Sequence, residues 1–319
     1  MTVSKDLTFR PTNQASGLRR HACCADNRAA IMRGGLEKRE TSAENLSYAV
    51  SCFGQVCPFG QEVKSQVLGE LHVARCGGRR GRLIFMEDGK SKTFVLVHGA
   101  WHGPWCWERV GGYLRARGHD VVCPQLPSDT ADAGQDEYLA AIEDALRTRS
   151  DVVLVAHSMS GLLAPLAVGN RAVSSLVLLA ALVRRPGTTW ADNGLEPFAE
   201  PMRKVLIRAT FDESARRVLD PADATELFYH DCLPADAADA VGRLRPDATV
   251  MYQQTCPDLP ERKVPTTYVS CRDDRVVDSA WNAAVAQELL GATVREIDGG
   301  HSPFWSAPER LAELLAELA

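Results

Sequence analysis

Short runs of apolar residues alternate with amphipathic segments from about residue 94 to the end of the chain. An unbroken apolar run indicates a strand buried on both faces, and an apolar stripe at helical spacing indicates a covering helix. The predicted strands are residues 94–97, 120–123, 152–156, 175–181, 266–271 and 293–297. The predicted helices are residues 105–117, 136–147 and 308–318. This order predicts an α/β fold in which helices flank a mostly parallel sheet.

The alternation lapses between residues 183 and 263, where proline, aspartate, arginine and aromatic residues become frequent. Helix-like patterns recur within this stretch at residues 202–209 and 235–244. An insertion at this place overhangs the carboxyl edge of the sheet, where ligands bind in open α/β sheets. We therefore predict that residues 183–263 form a helical cap that shapes a ligand pocket.

The first 90 residues show little periodicity, with a strand predicted at 48–56 and a strand or helix at 63–74. They carry a net charge of +5, whereas residues 91–319 carry −10. A chain that began at Met86 would have 234 residues, which is enough for one complete domain. We predict that residues 1–90 are a poorly ordered N-terminal extension and that residues 91–319 are the folded domain. A small regulatory or docking segment is the alternative for residues 1–90.

Composition and charge narrow the classes of function. The acidic main domain argues against nucleic acid as a partner. No apolar run approaches the roughly 20 residues that cross a bilayer. Residues 1–20 contain no apolar signal core, which predicts a cytoplasmic protein. The ten cysteines include no pair at C-x-x-C spacing and none with a histidine at zinc-finger spacing, so we expect free thiols, no metal and no cofactor, with Cys123 and Cys271 buried.

The sequence AHSMSG at residues 156–161 follows a predicted strand and precedes a segment of small residues that is compatible with a helix. A strand, a very sharp turn and a helix in this order lift a serine oxygen clear of a sheet. Ser158 is therefore the candidate nucleophile, although Ala156 and Ser160 stand where glycines are usual. Most serines before a glycine are only turn residues, so this interpretation needs partners elsewhere in the chain.

A serine nucleophile needs a base and a carboxylate that orients the base. Asp273 and Asp274 follow the predicted strand at 266–271, and His301 follows the last strand after two glycines. Because the carboxyl ends of parallel strands meet at one edge of the sheet, these side chains can converge on Ser158. The alternatives are a solvated pair of aspartates and a surface histidine.

Acyl transfer also requires two backbone N–H groups aimed at the oxygen on which negative charge develops. We expect one from Met159, directly after the candidate nucleophile. We expect the other from Ala100, in the turn that follows the first strong strand.

Four motifs carry a resemblance to a known family. They are FVLVHGAWHG at residues 94–103 with Trp105 and Trp107, AHSMSG at 156–161, YVSCRDD at 268–274 and GGH at 299–301. Through them residues 93–319, about seven-tenths of the chain, resemble the plant-type esterase and hydroxynitrile lyase family of α/β-hydrolases. That family includes methyl salicylate, methyl jasmonate and polyneuridine aldehyde esterases, together with bacterial relatives.

The resemblance implies the α/β-hydrolase fold with a serine, histidine and aspartate triad. The residues that match the family's triad and oxyanion hole are Ser158, His301, Asp274, Ala100 and Met159. The match favours Asp274 over Asp273, a choice that spacing alone leaves open.

Three positions depart from the family's patterns. The lyases carry a threonine after the first motif histidine and a lysine after the catalytic histidine, where this chain has Gly99 and Ser302. Their absence favours ester hydrolysis over cyanohydrin cleavage. Pro165, close after the nucleophile, is expected to kink the following helix or to shift its start.

The sequence as a whole predicts a serine carboxylesterase that cleaves a small apolar ester through an acyl-enzyme on Ser158. The alternatives are a hydroxynitrile lyase, a thioesterase or acyltransferase, a tailoring hydrolase of natural-product biosynthesis, and a non-catalytic ligand receptor. The sequence does not decide whether the protein forms a homodimer. Candidate pocket residues, each of which could equally be cap or core packing, are Trp101, Trp190, Phe198, Phe211, Phe228, Tyr229 and Trp305.

Overall fold

The computed structural model describes residues 91–319 and, before them, the backbone of an antiparallel strand pair, Val67–Leu68 and Leu71–His72. The chain divides into two units, Met1–Leu83 and Ile84–Ala319. The strand pair lies within residues 63–74, for which a strand or a helix is expected. The strand predicted at 48–56 and the order of the N-terminal extension lie outside the described residues, so the domain boundaries stay predictions.

Six parallel strands form the main sheet of the second unit. They are β1 (Thr93–Val97), β2 (Asp120–Val122), β3 (Val152–His157), β4 (Val173–Leu179), β5 (Thr266–Cys271) and β6 (Thr293–Ile297). Their order across the sheet is β6-β5-β4-β3-β1-β2, and every neighbouring pair is parallel. The parallel α/β sheet predicted from the hydrophobic pattern is confirmed.

Helices connect and cover these strands. They are α1 (Glu108–Ala116), α2 (Gln135–Leu146), α3 (Ala164–Ala167), α4 (Glu200–Ile207), α5 (Pro221–Phe228), α6 (Pro234–Gly242), α7 (Val250–Gln253), α8 (Ser279–Leu290), α9 (Pro303–Ser306) and α10 (Pro308–Glu317). The 3₁₀ turn Pro104–Trp107 precedes α1, and Gly118 follows it at a φ of 86°, a conformation that glycine adopts without strain. The sequence pattern does not predict α5, α7, α8 or α9.

The position of each strand explains its pattern of polar and apolar residues. All of β3 is buried because it lies in the middle of the sheet, whereas β6 is an edge strand that is exposed except at Ile297. Cys271, at the end of β5, is buried as predicted. Cys123 is only partly buried, because it follows the other edge strand, β2. Both thiols are free.

The predicted helical cap is present between β4 and β5, as α4 to α7 with a two-residue antiparallel pair, Thr210–Phe211 and Arg217–Val218. Backbone hydrogen bonds attach it to the loops after β1 and β2. The N–H of Arg245 donates to the Trp101 carbonyl at 2.9 Å, and that of Ala248 donates to the Ser128 carbonyl at 2.7 Å. Across the part of the chain that the structure describes, no helix is both long enough and apolar enough to span a membrane.

Candidate active site

Ser158 stands at the tip of a sharp turn where β3 ends. Its φ is 54°, in the left-handed region that a residue with a side chain occupies only at a cost of order 1–3 kcal/mol. A 3₁₀ helix, Ser158–Leu162, starts at this residue. The turn keeps Ser158 7% exposed at the end of an otherwise buried strand.

Close packing around this turn explains why its neighbours are small. A Cβ on Gly161 would lie 2.6 Å from the Leu182 carbonyl oxygen, and a Cβ on Gly99 would lie 2.8 Å from the Ser158 Cβ. A side chain at position 99 would therefore push against the candidate nucleophile, and one at position 161 would push the turn away from the residues that follow β4. The threonine that the related lyases carry at position 99 cannot enter this arrangement without a shift of the turn.

Ser160 and Pro165 replace the usual residues without breaking the turn. The Ser160 hydroxyl lies 2.9 Å from the His157 carbonyl and 3.2 Å from the Val97 carbonyl, so its proton can be donated across the ends of β1 and β3. Pro165 lies in the first turn of α3, where its missing N–H leaves no intrahelical bond unmade. The shifted helix start that Pro165 predicts is thus observed.

His301 and Asp274 lie in contact at the ends of β6 and β5. The Nδ1–H of His301 donates to Asp274 Oδ2 at 2.9 Å and Oδ1 at 3.1 Å. The two side chains are 1% and 2% exposed. Oδ1 of Asp274 also accepts the N–H groups of Val276 and Val277, which fix the carboxylate. Asp273 is exposed, so Asp274 is the aspartate that the fold brings to the histidine.

Two residues that sequence reasoning left without a role hold the loop that carries His301. The Nε2–H of His157 donates to the His301 carbonyl at 2.9 Å, and the Asp231 carboxylate accepts the Gly300 N–H at 2.8 Å. The ring of Phe228 stacks on His301 with 5.6 Å between centroids. These contacts join segments distant in sequence, so no local pattern could have indicated them.

The Nε2 atom of His301 is the nitrogen left for the serine. Nδ1 is engaged by Asp274, and among residues 91–319 neither Nε2 nor the Ser158 hydroxyl has a hydrogen bond. Catalytic hydrogen bonds are often long in a ligand-free enzyme and shorten when substrate binds. Neither group is therefore committed to another residue of the described domain.

The two predicted N–H donors lie beside Ser158. Ala100 and Met159 both line the cavity that contains the serine. The Ala100 N–H makes no hydrogen bond within residues 91–319. Met159 lies in the first turn of the 3₁₀ helix, where backbone N–H groups have no acceptor within the helix.

Three buried histidines in this part of the domain, His98, His102 and His157, are uncharged. Burial lowers the pKa of His98 to about 4 and that of His102 to about 3. Burial also lowers the pKa of His157 well below its usual value, and the nearby His301 acts in the same direction. Across the described stretch, no group of three histidine, cysteine or acidic side chains is arranged to hold a metal ion.

A cavity of about 180 Å³ opens at Ser158, below the roughly 300–1,000 Å³ of pockets for drug-sized ligands. Its lining residues are Ala100, Trp101, Ser158, Met159, Leu182, Trp190, Gly194, Leu195, Phe198, Met202, Leu206, Arg217, Tyr252 and Val276. Of the predicted aromatic residues, Trp101, Trp190 and Phe198 line it. Phe228, Tyr229 and Trp305 are buried elsewhere in the packing, and Phe211 is 54% exposed. The sequence did not predict Arg217 or Tyr252 in the wall.

Comparisons with known proteins agree with this fold. The pattern of the alpha/beta hydrolase family matches residues 94–314. Methylesterase 18 of Arabidopsis thaliana is 28% identical over 261 residues, which cover 71% of this chain and 96% of that protein. Methyl jasmonate esterase 1 of Vitis vinifera is 25% identical over 258 residues, or 72% of this chain and 97% of that protein. The resemblance to plant-type esterases is thereby confirmed.

A solved structure with the same architecture is that of a pyrethroid hydrolase from Sphingobium faniae JZ-2. It superposes with a TM-score of 0.59 at 24% identity, covering 72% of this chain and 97% of the other. At this identity the likeness speaks for the fold. Together with the family match over most of the described domain, it establishes that the chain belongs to the alpha/beta hydrolase family.

Proposed function

We propose that this protein is a serine carboxylesterase, in which Ser158 is the nucleophile, His301 the base and Asp274 the orienting acid. The observation that carries the proposal is the buried contact of 2.9 Å between His301 and Asp274, at the sheet edge where Ser158 occupies its sharp turn. The named activities of the relatives, methylesterase and methyl jasmonate esterase, support the same reaction class.

The first half of the reaction forms the acyl-enzyme. The Ser158 hydroxyl attacks the ester carbonyl while Nε2 of His301 takes its proton, and the Asp274 carboxylate stabilises the resulting imidazolium. The N–H groups of Ala100 and Met159 donate to the oxyanion of the tetrahedral intermediate. The ester C–O bond then breaks, and the alkoxide leaves as an alcohol with the proton from His301.

The second half returns the enzyme to its starting state. A water molecule attacks the acyl carbonyl, and Nε2 of His301 takes a proton from this water. The same two N–H groups stabilise the second oxyanion. The bond to Ser158 breaks, the serine oxygen regains its proton from His301, and the carboxylic acid is released.

The site favours ester cleavage over the cyanohydrin chemistry of the related lyases. The lyase threonine is replaced by Gly99, whose Cα lies so close to Ser158 that a side chain would collide with it. The lyase lysine is replaced by Ser302, which is buried and carries no charge. The small, largely apolar cavity supports a small ester with an apolar body as the substrate.

Replacement of the nucleophile tests this proposal. Ser158→Ala is expected to lower turnover of methyl and short-chain p-nitrophenyl esters by about 10³-fold or more, because no other group can form the acyl-enzyme. Steady-state kinetics on the purified full chain would measure this. An unimpaired Ser158→Ala protein would refute the mechanism. A cytoplasmic location rests on the sequence alone and stays a prediction.

A further inference from the structure

Arg217 is the only charged side chain among the residues that line the cavity at Ser158. Its backbone is fixed by three hydrogen bonds. Its N–H donates to the Asp247 carbonyl at 2.7 Å, its carbonyl accepts the Asp247 N–H at 2.9 Å, and the same carbonyl accepts the Trp101 indole N–H at 3.1 Å. The base of this cationic side chain is therefore held at the cavity wall.

The Arg217 guanidinium has no acceptor of its own within residues 91–319. Its Nε is buried without a hydrogen bond, and no ion pair joins Arg217 to a carboxylate of the described residues. The guanidinium lies over two aromatic rings, with its Cζ atom 5.5 Å from the Tyr252 ring centroid and 6.0 Å from the Trp101 ring centroid. An unpaired polar group in a partly buried place is costly, so such a group usually has a partner or awaits one.

Asp247 lies beside Arg217 but does not neutralise it through an ion pair. Its Oδ2 accepts the Tyr252 hydroxyl at 2.9 Å, while Oδ1 is buried without a partner. Burial raises the pKa of Asp247 to about 7, although the nearby positive charge of Arg217 acts in the opposite direction. Because no hydrogen bond or ion pair within residues 91–319 engages the Arg217 guanidinium, its N–H donors are available to a ligand in the cavity.

We propose that Arg217 binds a carboxylate on the acyl part of the substrate, so that the preferred esters are half-esters of small dicarboxylic acids. This inference rests on the proposed esterase function and names the substrate class of the same site. The planar guanidinium can donate two parallel hydrogen bonds to a carboxylate. The apolar wall accommodates the methylene chain between that carboxylate and the ester.

The acyl side is the part of the ester on which such a contact acts longest. The alcohol departs in the first half of the reaction, whereas the acyl chain stays bound to Ser158 until water releases it. A contact to the acyl chain therefore positions the substrate in both halves. A site built around a charged partner discriminates strongly against an analogue that lacks it.

The test compares monomethyl glutarate with dimethyl glutarate on the full chain at pH 7. The measured quantity is the ratio of kcat/KM for the half-ester to that for the diester. We expect wild type to favour the half-ester, and Arg217→Gln and Arg217→Met each to lower the ratio by about 10-fold or more. Arg216→Gln is the matched control, because Arg216 pairs with Asp212 outside the cavity and its loss should leave the ratio unchanged.

An unchanged ratio in both Arg217 variants would overturn the inference and assign Arg217 to packing against Tyr252. A wild-type preference for the diester would overturn it as well. Calorimetric binding of monomethyl glutarate to Ser158→Ala separates this result from a failure of the esterase proposal. If wild type cleaves neither ester, the esterase proposal fails. The inference then stands only if Ser158→Ala binds the half-ester and Arg217→Gln in the same background abolishes that binding.

Discussion

At the scale of single residues, His98 fixes the peptide that carries the Ala100 N–H, which is the proposed oxyanion donor, through a hydrogen bond to the Gly99 carbonyl. Its Nε2 accepts the Leu126 N–H at 3.1 Å, so its Nδ1 carries the proton and donates to the Gly99 carbonyl at 2.9 Å. In a trans peptide the C=O and N–H point in opposite directions. Because the Gly99 carbonyl points towards His98, the Ala100 N–H of the same peptide points away from His98.

This geometry makes His98 a positioning residue, and we expect His98→Phe to lower kcat with little change in KM. The loss should be up to about 10²-fold, the lower end of what removal of an oxyanion donor costs. His98→Gln, whose amide can still donate to a carbonyl, is expected to recover part of kcat. Rates are normalised to the fraction of active enzyme from burst titration. Equal kcat values per active site in all three proteins would contradict this role.

Asp274 and Asp273 give a matched pair for the orienting acid. Asp274→Asn is expected to lower kcat on methyl esters by about 10³–10⁴-fold, since an amide cannot stabilise the imidazolium that forms at His301. Asp273→Asn should stay close to wild type because its side chain is exposed. Steady-state kinetics of both variants decide the assignment. Comparable losses, or a larger loss in Asp273→Asn, would reject it.

At the scale of elements, the sequence predicted what local patterning controls. A buried parallel strand is apolar throughout, so β1 and β3 could be read directly from their residues. The polar residues just after β5 and β6 had to meet at one sheet edge for the same reason. His301 and one of Asp273 and Asp274 could thus be proposed as partners of Ser158 before any contact was known, and the family resemblance favoured Asp274.

The sequence did not predict the elements whose positions depend on tertiary contacts. Helix α8 has no amphipathic stripe in its sequence. Its buried residues include the polar Asn282 and small alanines, so the pattern of apolar residues does not mark its buried face. The Asn282 side chain accepts the Val183 N–H at 3.0 Å, which only the folded chain brings near. The position of Arg217 at the cavity wall could not be predicted either, because it depends on a two-residue strand in the cap.

The sharp turn after β3 gives a prediction at this scale. Gly161→Ala is expected to lower the free energy of unfolding by about 1–3 kcal/mol, because its Cβ would collide with the Leu182 carbonyl. Gly112→Ala in α1 is the control, since nothing lies within 4 Å of its added Cβ. The control should be neutral or raise stability by up to about 1 kcal/mol. Urea unfolding measures both, and equal stability of the two variants would contradict the crowding of the turn.

At the scale of the whole molecule, buried histidines link stability to pH. His98, His102 and His157 are uncharged in the folded protein, with pKa values lowered by burial. Below the ordinary histidine pKa of about 6.5 the unfolded chain binds more protons at these residues, so stability falls as pH falls. Asp247 acts in the opposite sense, because its raised pKa makes the folded state bind more protons between about 4 and 7.

The three histidines lower the stability of the folded protein on acidification, whereas Asp247 raises it. The net effect is a loss of stability as the pH falls. We expect the free energy of unfolding to decrease between pH 6.5 and about 4, with each histidine contributing up to about 1.4 kcal/mol per pH unit and Asp247 offsetting one of them. Urea unfolding of wild type at pH 7.5, 6.0 and 5.0 measures the slope. His102→Gln should show a shallower slope, and stability that is flat or rises on acidification would contradict the charge states assigned here.

Ser158 is proposed to be an activated nucleophile, and covalent labelling is a direct test of this role. A fluorophosphonate probe reacts when a serine oxygen attacks phosphorus and displaces fluoride, which requires a base to take the serine proton. Mass spectrometry of the digested protein locates the adduct. We predict stoichiometric labelling at Ser158 with parallel loss of ester hydrolysis, and no labelling of Ser158→Ala. A folded wild-type protein that stays unlabelled, or that is labelled at another residue while ester hydrolysis persists, would contradict the assignment of Ser158 as the nucleophile.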